Sequence, residues 1–324
     1  MDLVLGVDAG ATSTRSVLAT ADGHVIGRGR AGGANSNSSG ASLAETLQAA
    51  LGAALATADP EVRAADVRVG VLGAAGSSGA GRPLFRTAAV AAWRALGLPG
   101  EPVIVTDLEV AYAAGTAAPS GSLLLSGTGA LAARFDSGRL TRRCDGYGWL
   151  LGDEGSAVWI ALRALRAALA ALDGRGPATS LVTAATEVFE IPGTDHREGL
   201  AQAILADAFR RPPADLGRLA PSVSAAAEEG DPVAQAICAE AAATLLHTFE
   251  SVGPPPGGAV VLAGSVLLAP GPVSRAVRAG LPVVPSEARD GAGGAATMAI
   301  AEMTGAPALP EVHARLTGHE PCRE

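Results

Sequence analysis

The sequence predicts an α/β protein of two lobes, each built as a βββαβα unit, with a helical insertion in the second lobe. Three observations predict it. The apolar run Leu3-Val4-Leu5-Gly6-Val7-Asp8 breaks into the small residues Ala9-Gly10-Ala11-Thr12-Ser13-Thr14. Far downstream, Leu124-Leu125 breaks in the same way into Ser126-Gly127-Thr128-Gly129. Similar alternations of strand and helix follow each break, and the second series is interrupted by a long alanine-rich helical stretch, residues 157–250.

Taken in order, residues 3–8 read as a buried strand, and 16–19 and 25–28 as its antiparallel partners across the turn Ala21-Asp22-Gly23-His24. Residues 32–40 form a polar glycine-rich loop. A helix over 42–58 opens with Ser42 as N-cap and Glu45 three residues on, a capping box. A strand over 67–72, a helix over 83–96, a strand over 103–105 ending at Asp107 and a helix from Glu109 complete the first series. The second runs through strands at 121–125, 130–135 and 140–144, the helical region, a strand at 260–262 running into Ala263-Gly264-Ser265, and a short last strand at Val283-Val284. A helix over 292–303 closes the chain, stopped by Gly305 and Pro307. The expected lobes are 1–116 and 117–290, with the closing helix (291–306) on the first lobe and 307–324 a loose tail.

Composition narrows the chemistry. A chain of 324 residues with 48% hydrophobic content can bury two cores. It contains no lysine; all 24 basic residues are Arg. That excludes a Walker A loop, a pyridoxal-phosphate Schiff base and any lysine nucleophile. A bound nucleotide must therefore be held by backbone N–H groups, hydroxyls and a metal ion. A net charge of −8 and 3% aromatic residues argue against a nucleic-acid partner. Arg139, Arg142 and Arg143 read as a solvated loop. Cys144, Cys238 and Cys322 are too scattered for a metal or disulfide framework and fit a reducing cytoplasm. No signal peptide or membrane span is expected, so the protein is expected to be cytoplasmic. Its oligomeric state is left open, a homodimer being one option.

The two glycine turns offer backbone N–H groups to phosphate, because only small residues let the backbone come close to the oxygens. Asp8, at the end of the first strand, is placed to orient a hydrated Mg²⁺. Thr12 could offer a hydroxyl to phosphate. Asp107, at another strand end, is placed either as a general base or as the N-cap of the next helix, and the two roles are compatible. Asn35 and Asn37 in the polar loop carry both donors and acceptors, which suits sugar hydroxyls. The stretch Gly146-Tyr147-Gly148 through Asp153-Glu154-Gly155-Ser156 combines aromatic surface with carboxylates; Asp153 or Ser156 would also cap the helix starting at Ala157.

These segments together resemble N-acetylglucosamine kinases of the BadF/BadG/BcrA/BcrD ATPase group, within the actin/hexokinase/Hsp70 superfamily. The resemblance runs from about residue 3 to residue 303. It is carried by Gly6-Val7-Asp8-Ala9-Gly10-Ala11-Thr12, Ala34-Asn35, Thr106-Asp107, Ser126-Gly127-Thr128-Gly129, Gly146-Tyr147-Gly148, Gly152-Asp153-Glu154-Gly155-Ser156 and Ala263-Gly264-Ser265. It implies the ribonuclease H-like fold of actin and hexokinase, with ATP and Mg²⁺ at the site. It implies that Gly10 and Thr12 in one lobe, and Gly127, Thr128 and Gly129 in the other, meet ATP phosphates. Gly264 and Ser265 would border the adenosine, with the helix near Gly217 across from them. Asn35, Asp107, Gly146, Tyr147, Gly148 and Asp153 would hold the amino sugar, with Asp107 the base at its 6-hydroxyl.

Two features depart from the family pattern: Ala130 replaces a usual Ser or Thr, and Ala9 and Ala11 replace glycines. Glucosamine is the runner-up substrate. An ATP-driven iron–sulfur activator of the same group would need cysteines at the cluster, but Ser126 precedes Gly127 and Cys144 alone cannot supply four ligands in a dimer. A non-catalytic sugar sensor would need a helix-turn-helix ahead of the first strand, and the sequence leaves no room for one.

Overall fold

A computed structural model describes residues 2–10, 12–34, 43–58, 60–74, 81–193 and 196–319. The first sheet contains β1 (Leu3–Ala9), β2 (Ser13–Thr20), β3 (Val25–Gly32), β4 (Val67–Ala74) and β5 (Val103–Thr106), in the order β3-β2-β1-β4-β5. β1, β2 and β3 pair antiparallel; β1, β4 and β5 pair parallel. β1 reads as a nearly unbroken apolar run because both of its faces are covered. On one face α1 (Leu43–Ala56) and α2 (Arg82–Ala95) bury Leu47, Leu51 and Trp93. Full burial of such a side chain stabilises by about 2–3 kcal/mol. The other face carries α12 (Gly291–Thr304), whose Ala292, Ala295, Ala296 and Ala299 sit in a core with Val4, Val17 and Val71.

The second sheet contains β6 (Gly121–Ser126), β7 (Ala130–Asp136), β8 (Arg139–Asp145), β9 (Ala259–Ala263) and the two-residue β10 (Ser286–Glu287), in the order β10-β9-β6-β7-β8. The helical stretch resolves into α4 (Ala157–Leu172), α5 (Leu181–Val188), α6 (Arg197–Arg210), α7 (Pro213–Leu216), α8 (Ala220–Glu228) and α9 (Pro232–Ser251). Their apolar faces share one core with Leu124, Ala132 and Leu262 of the sheet. α10 (Ser265–Leu268) and α11 (Pro272–Gly280) follow β9.

The chain divides into two compact units. One comprises Met1–Gly121, Phe135–Leu140 and Ser286–Glu324; the other comprises Ser122–Arg134 and Thr141–Pro285. The boundaries differ from the expected 116/117 and 290/291 because the β7–β8 turn and β10 belong with the first unit.

Three sequence expectations are corrected. Val283-Val284 is not a strand; Val284 is almost wholly exposed, and the strand lies at Ser286–Glu287. The described part of the expected loose tail, residues 307–319, contains a helix: α13 (Pro310–Thr317) buries Val312, Ala314 and Leu316. Arg139, Arg142 and Arg143 lie along the exposed strand β8 rather than in a loop. Gly305 does end α12, in the left-handed conformation with φ 72°. The expected cap at Ser42 lies outside the described residues. Among the described residues, no helix is long and apolar enough to cross a membrane.

Candidate functional site

In the first unit, the glycine turn after β1 is closed by the Gly10 N–H donating to the Ser13 carbonyl at 3.0 Å. The Ala34 N–H donates back to the Gly10 carbonyl at 3.1 Å, which ties the end of the third strand to the turn. Thr12 is exposed on it. Asp8 faces Arg15 across the β1–β2 pair. It also lies under the first residue of α12, where a Cβ on Gly291 would stand 2.3 Å from Asp8 Oδ2. Glycine is required there by the close approach. Burial pushes the Asp8 carboxyl above its ordinary range; Arg15 opposes that push and Asp290 adds to it.

Asp107 follows β5 at the same carboxyl edge of the sheet, since Asp8 is in register with Gly73, and Gly73 with Val105. That edge is where ligands of parallel sheets bind. Asp107 does not cap the helix. α3 (Asp107–Gly115) begins at it, and the N-cap is Thr106, whose hydroxyl accepts from the Glu109 N–H while Glu109 accepts from the Thr106 N–H. The pair Thr106 and Glu109 forms the Thr-x-x-Glu capping box. The Leu108 N–H donates to Asp107 Oδ1 at 3.0 Å, which fixes the carboxylate in the first turn. Asn35 and Asn37 lie outside the described residues.

In the second unit, the turn after β6 is held from three sides. The Gly127 N–H donates to the Gly129 carbonyl at 2.9 Å, closing the turn on itself. The Ser126 hydroxyl donates to the Gly155 carbonyl at 2.9 Å, and the Ala157 N–H donates to the Gly127 carbonyl at 2.8 Å. The turn therefore sits against the start of α4, an end that carries partial positive charge. Ser156, not Asp153, caps that helix, accepting from the Trp159 N–H at 3.1 Å. Thr128 is exposed at the tip. Gly264 lies beside the turn with φ 87°; a Cβ there would stand 2.3 Å from the Ser126 carbonyl oxygen. Gly264 and Ser265 are the nearest neighbours of Gly127 on that side. Gly217 lies against Ala157 and Val158 of α4.

Asp153 has φ 55°, and its carboxylate packs on the glycine turn, where a Cβ on Gly129 would stand 2.9 Å from Asp153 Oδ2. Its N–H donates to Asp145 Oδ1, which also accepts from the Gly146 N–H, so Asp153 links the glycine turn to the Gly146-Tyr147-Gly148 loop. Burial, the largest influence, pushes its carboxyl above the ordinary range, and Asp145 adds to that; the backbone N–H groups of Ala130 and Gly148, and Arg143, oppose it. The aromatic surface of this stretch stands open to solvent: Tyr147 is 67% exposed and Trp149 46%. Sequence reasoning missed Asp145, which accepts backbone N–H bonds from Gly146, Asp153 and Glu154 at 2.7–2.8 Å. The available signal was an Asp before Gly at a strand end, a residue type that tolerates the left-handed region; its φ is 64°. Among the described residues, no group of three or more His, Cys, Asp or Glu could cage a metal ion.

The profile of the BadF/BadG/BcrA/BcrD ATPase family matches residues 5–299. The chain belongs to this family. Among relatives, it is 30% identical over 258 residues to an N-acetylmuramic acid/N-acetylglucosamine kinase of Clostridium acetobutylicum, covering 78% of this chain and 79% of that protein. It is 28% identical over 262 residues to an N-acetyl-D-glucosamine kinase of Dictyostelium discoideum, at the same coverages. Among solved structures it is similar to a candidate N-acetylglucosamine kinase of Chromobacterium violaceum, with 26% identity, TM-score 0.72, and 93% and 99% of the two chains covered. A ROK-family glucokinase of Streptomyces griseus shares the fold, at TM-score 0.52 and 17% identity, with 92% and 99% covered. Family membership and these likenesses give the fold class expected from the sequence, the duplicated α/β fold of the actin/hexokinase type.

Proposed function

We propose that this protein is an ATP-dependent amino-sugar kinase that transfers the γ-phosphate to the 6-hydroxyl of N-acetylglucosamine. The observation that carries the reading is the joining, within one unit, of the glycine turn to the Gly-aromatic-Gly loop through Asp153, whose carboxylate packs on Gly129 and whose N–H shares Asp145 Oδ1 with the Gly146 N–H. One ligand on the turn and another on the loop would share a common support. The names of the family relatives support a sugar as the second ligand.

In this reading Gly10 and Thr12, and Gly127, Thr128 and Gly129, meet phosphate oxygens, with Gly264 and Ser265 bordering the adenosine. Gly217, packed on α4, contributes to the nucleotide side only through that helix. Mg²⁺ commonly keeps most of its waters and takes one or two carboxylates plus substrate phosphates. The donor set fits that habit: Asp8 is a single desolvated carboxylate, and the nearby Asp290 is engaged by Arg28 and the Gly293 N–H. Asp107 takes the proton of the 6-hydroxyl as the new oxygen–phosphorus bond forms and the bond to the leaving diphosphate oxygen breaks. Asn35, Gly146, Tyr147, Gly148 and Asp153 hold the sugar.

ADP release measured with N-acetylglucosamine, glucosamine, N-acetylmannosamine and glucose tests the reading. N-acetylglucosamine should lead; no sugar-dependent ADP with any of them would reject it.

A further inference from the structure

Asp145 stands at the last position of β8 with its carboxylate consumed by backbone. Oδ1 accepts from the Gly146 N–H at 2.7 Å and the Asp153 N–H at 2.8 Å, and Oδ2 from the Glu154 N–H at 2.8 Å. These bonds draw both ends of the loop between Gly146 and Asp153 onto one side chain. Gly152 permits the closure, since a Cβ there would stand 2.2 Å from Asp145 Oδ1. With its backbone so held, Asp153 lays its carboxylate against the glycine turn, where a Cβ on Gly129 would stand 2.9 Å from Asp153 Oδ2. The Gly152 N–H donates to the Gly148 carbonyl at 2.8 Å, which ties the middle of the loop to the residue before Asp153. A continuous path of hydrogen bonds and close packing therefore runs from the loop through Asp145 and Asp153 to the turn. A displacement of the loop cannot leave the Asp153 carboxylate, and the turn it packs on, unmoved.

We propose that Asp145 is a positioning residue that, through Asp153, makes sugar bound at the 146–148 loop and nucleotide bound at the 127–129 turn strengthen each other's binding. The inference rests on the kinase reading above. A sugar that orders Gly148 orders Gly152 and Asp153, and with them the Gly129 end of the turn. Coupling between two ligands is reciprocal, so nucleotide must tighten sugar by the same factor.

The test is a calorimetric titration of N-acetylglucosamine with and without a saturating non-hydrolysable ATP analogue and Mg²⁺. For the wild type the analogue should tighten sugar binding by about 5-fold or more, a typical coupling. In Asp145→Ala the ratio should fall to within about 2-fold of unity. Asp145→Asn, which keeps the shape and one acceptor oxygen, should lie between them. The readout is the ratio, which a general loss of affinity or stability does not move. A second measurement needs no variant: N-acetylglucosamine alone should slow amide exchange in the peptide containing Ala130 as well as in the 146–154 loop. A wild-type ratio of one, an unchanged ratio in both Asp145 variants, or protection confined to the loop would overturn the coupling while sugar and nucleotide still bind. Absence of saturable binding for any sugar would instead overturn the kinase reading and the coupling with it.

Discussion

The carbonyl of Gly127 accepts the N–H of Ala157 at 2.8 Å, and so plants the second glycine turn on the first turn of α4. The helix end supplies the partial positive charge that a chain without lysine must find elsewhere. Thr128, exposed at the tip, adds a hydroxyl. Thr128→Val removes that hydroxyl at nearly constant shape. The KM for ATP should rise, or kcat should fall, by about 5–10-fold, the worth of roughly one hydrogen bond. Steady-state kinetics with ATP as the varied substrate check it. Unchanged constants would assign Thr128 to shaping the turn alone.

Asp107→Asn should lower kcat by roughly 10²–10⁴-fold while sugar binding persists, because a base is lost without a change of shape. Turnover and sugar affinity should be measured on the same preparation. Retention of more than a tenth of the wild-type kcat would remove Asp107 from the role of base.

Much of this was legible in the chain. The strand-to-glycine breaks at Asp8 and Ser126 marked both turns, because an apolar run that stops at small residues has few other conformations open to it. Asp107 was legible as a strand-end carboxylate. Its helix cap was less so, because Thr106 and Asp107 are adjacent residues of types that both cap helices, and the structure gives the cap to Thr106. Val283-Val284 misled because two β-branched residues favour a strand only where neighbours cover them, and Val284 is left exposed. The helix at Pro310–Thr317 was missed because its apolar residues, Val312 and Leu316, are few and gain their burial from distant partners such as Val4 and Ala292. Asp145 was legible only as a turn residue, an Asp before Gly at a strand end; its three acceptor bonds exist only once the loop has closed.

Substrate preference should follow from burial of the acetamido methyl group. N-acetylglucosamine should exceed glucosamine in kcat/KM by roughly 10-fold, since burying one methyl supplies only about 1 kcal/mol. Glucosamine equal or superior would refute the substrate assignment and leave the kinase assignment standing.

Asp231 ties the start of α9 to the residues before α5. It accepts from the N–H groups of Val233 and Ala234, and from the Thr179 hydroxyl and the Ser180 N–H and hydroxyl. Burial pushes its carboxyl up, but these bonds outweigh that and hold it down at about 2. A depressed carboxyl contributes stability that is present above its unfolded value, near 4, and is lost as pH falls through about 2. Asp231→Ala should therefore cost about 2–3 kcal/mol at neutral pH, and the difference from wild type should shrink below pH 4. Chemical denaturation at pH 7 and pH 3 measures both. A pH-independent difference would contradict the assignment.

The most direct test of the central claim is the structure of the product. The purified protein, incubated with ATP, Mg²⁺ and N-acetylglucosamine, should yield ADP and one sugar phosphate whose phosphorus couples in NMR to the two protons on carbon 6. ADP released with the sugar unmodified, or phosphate found on another oxygen, would contradict the account.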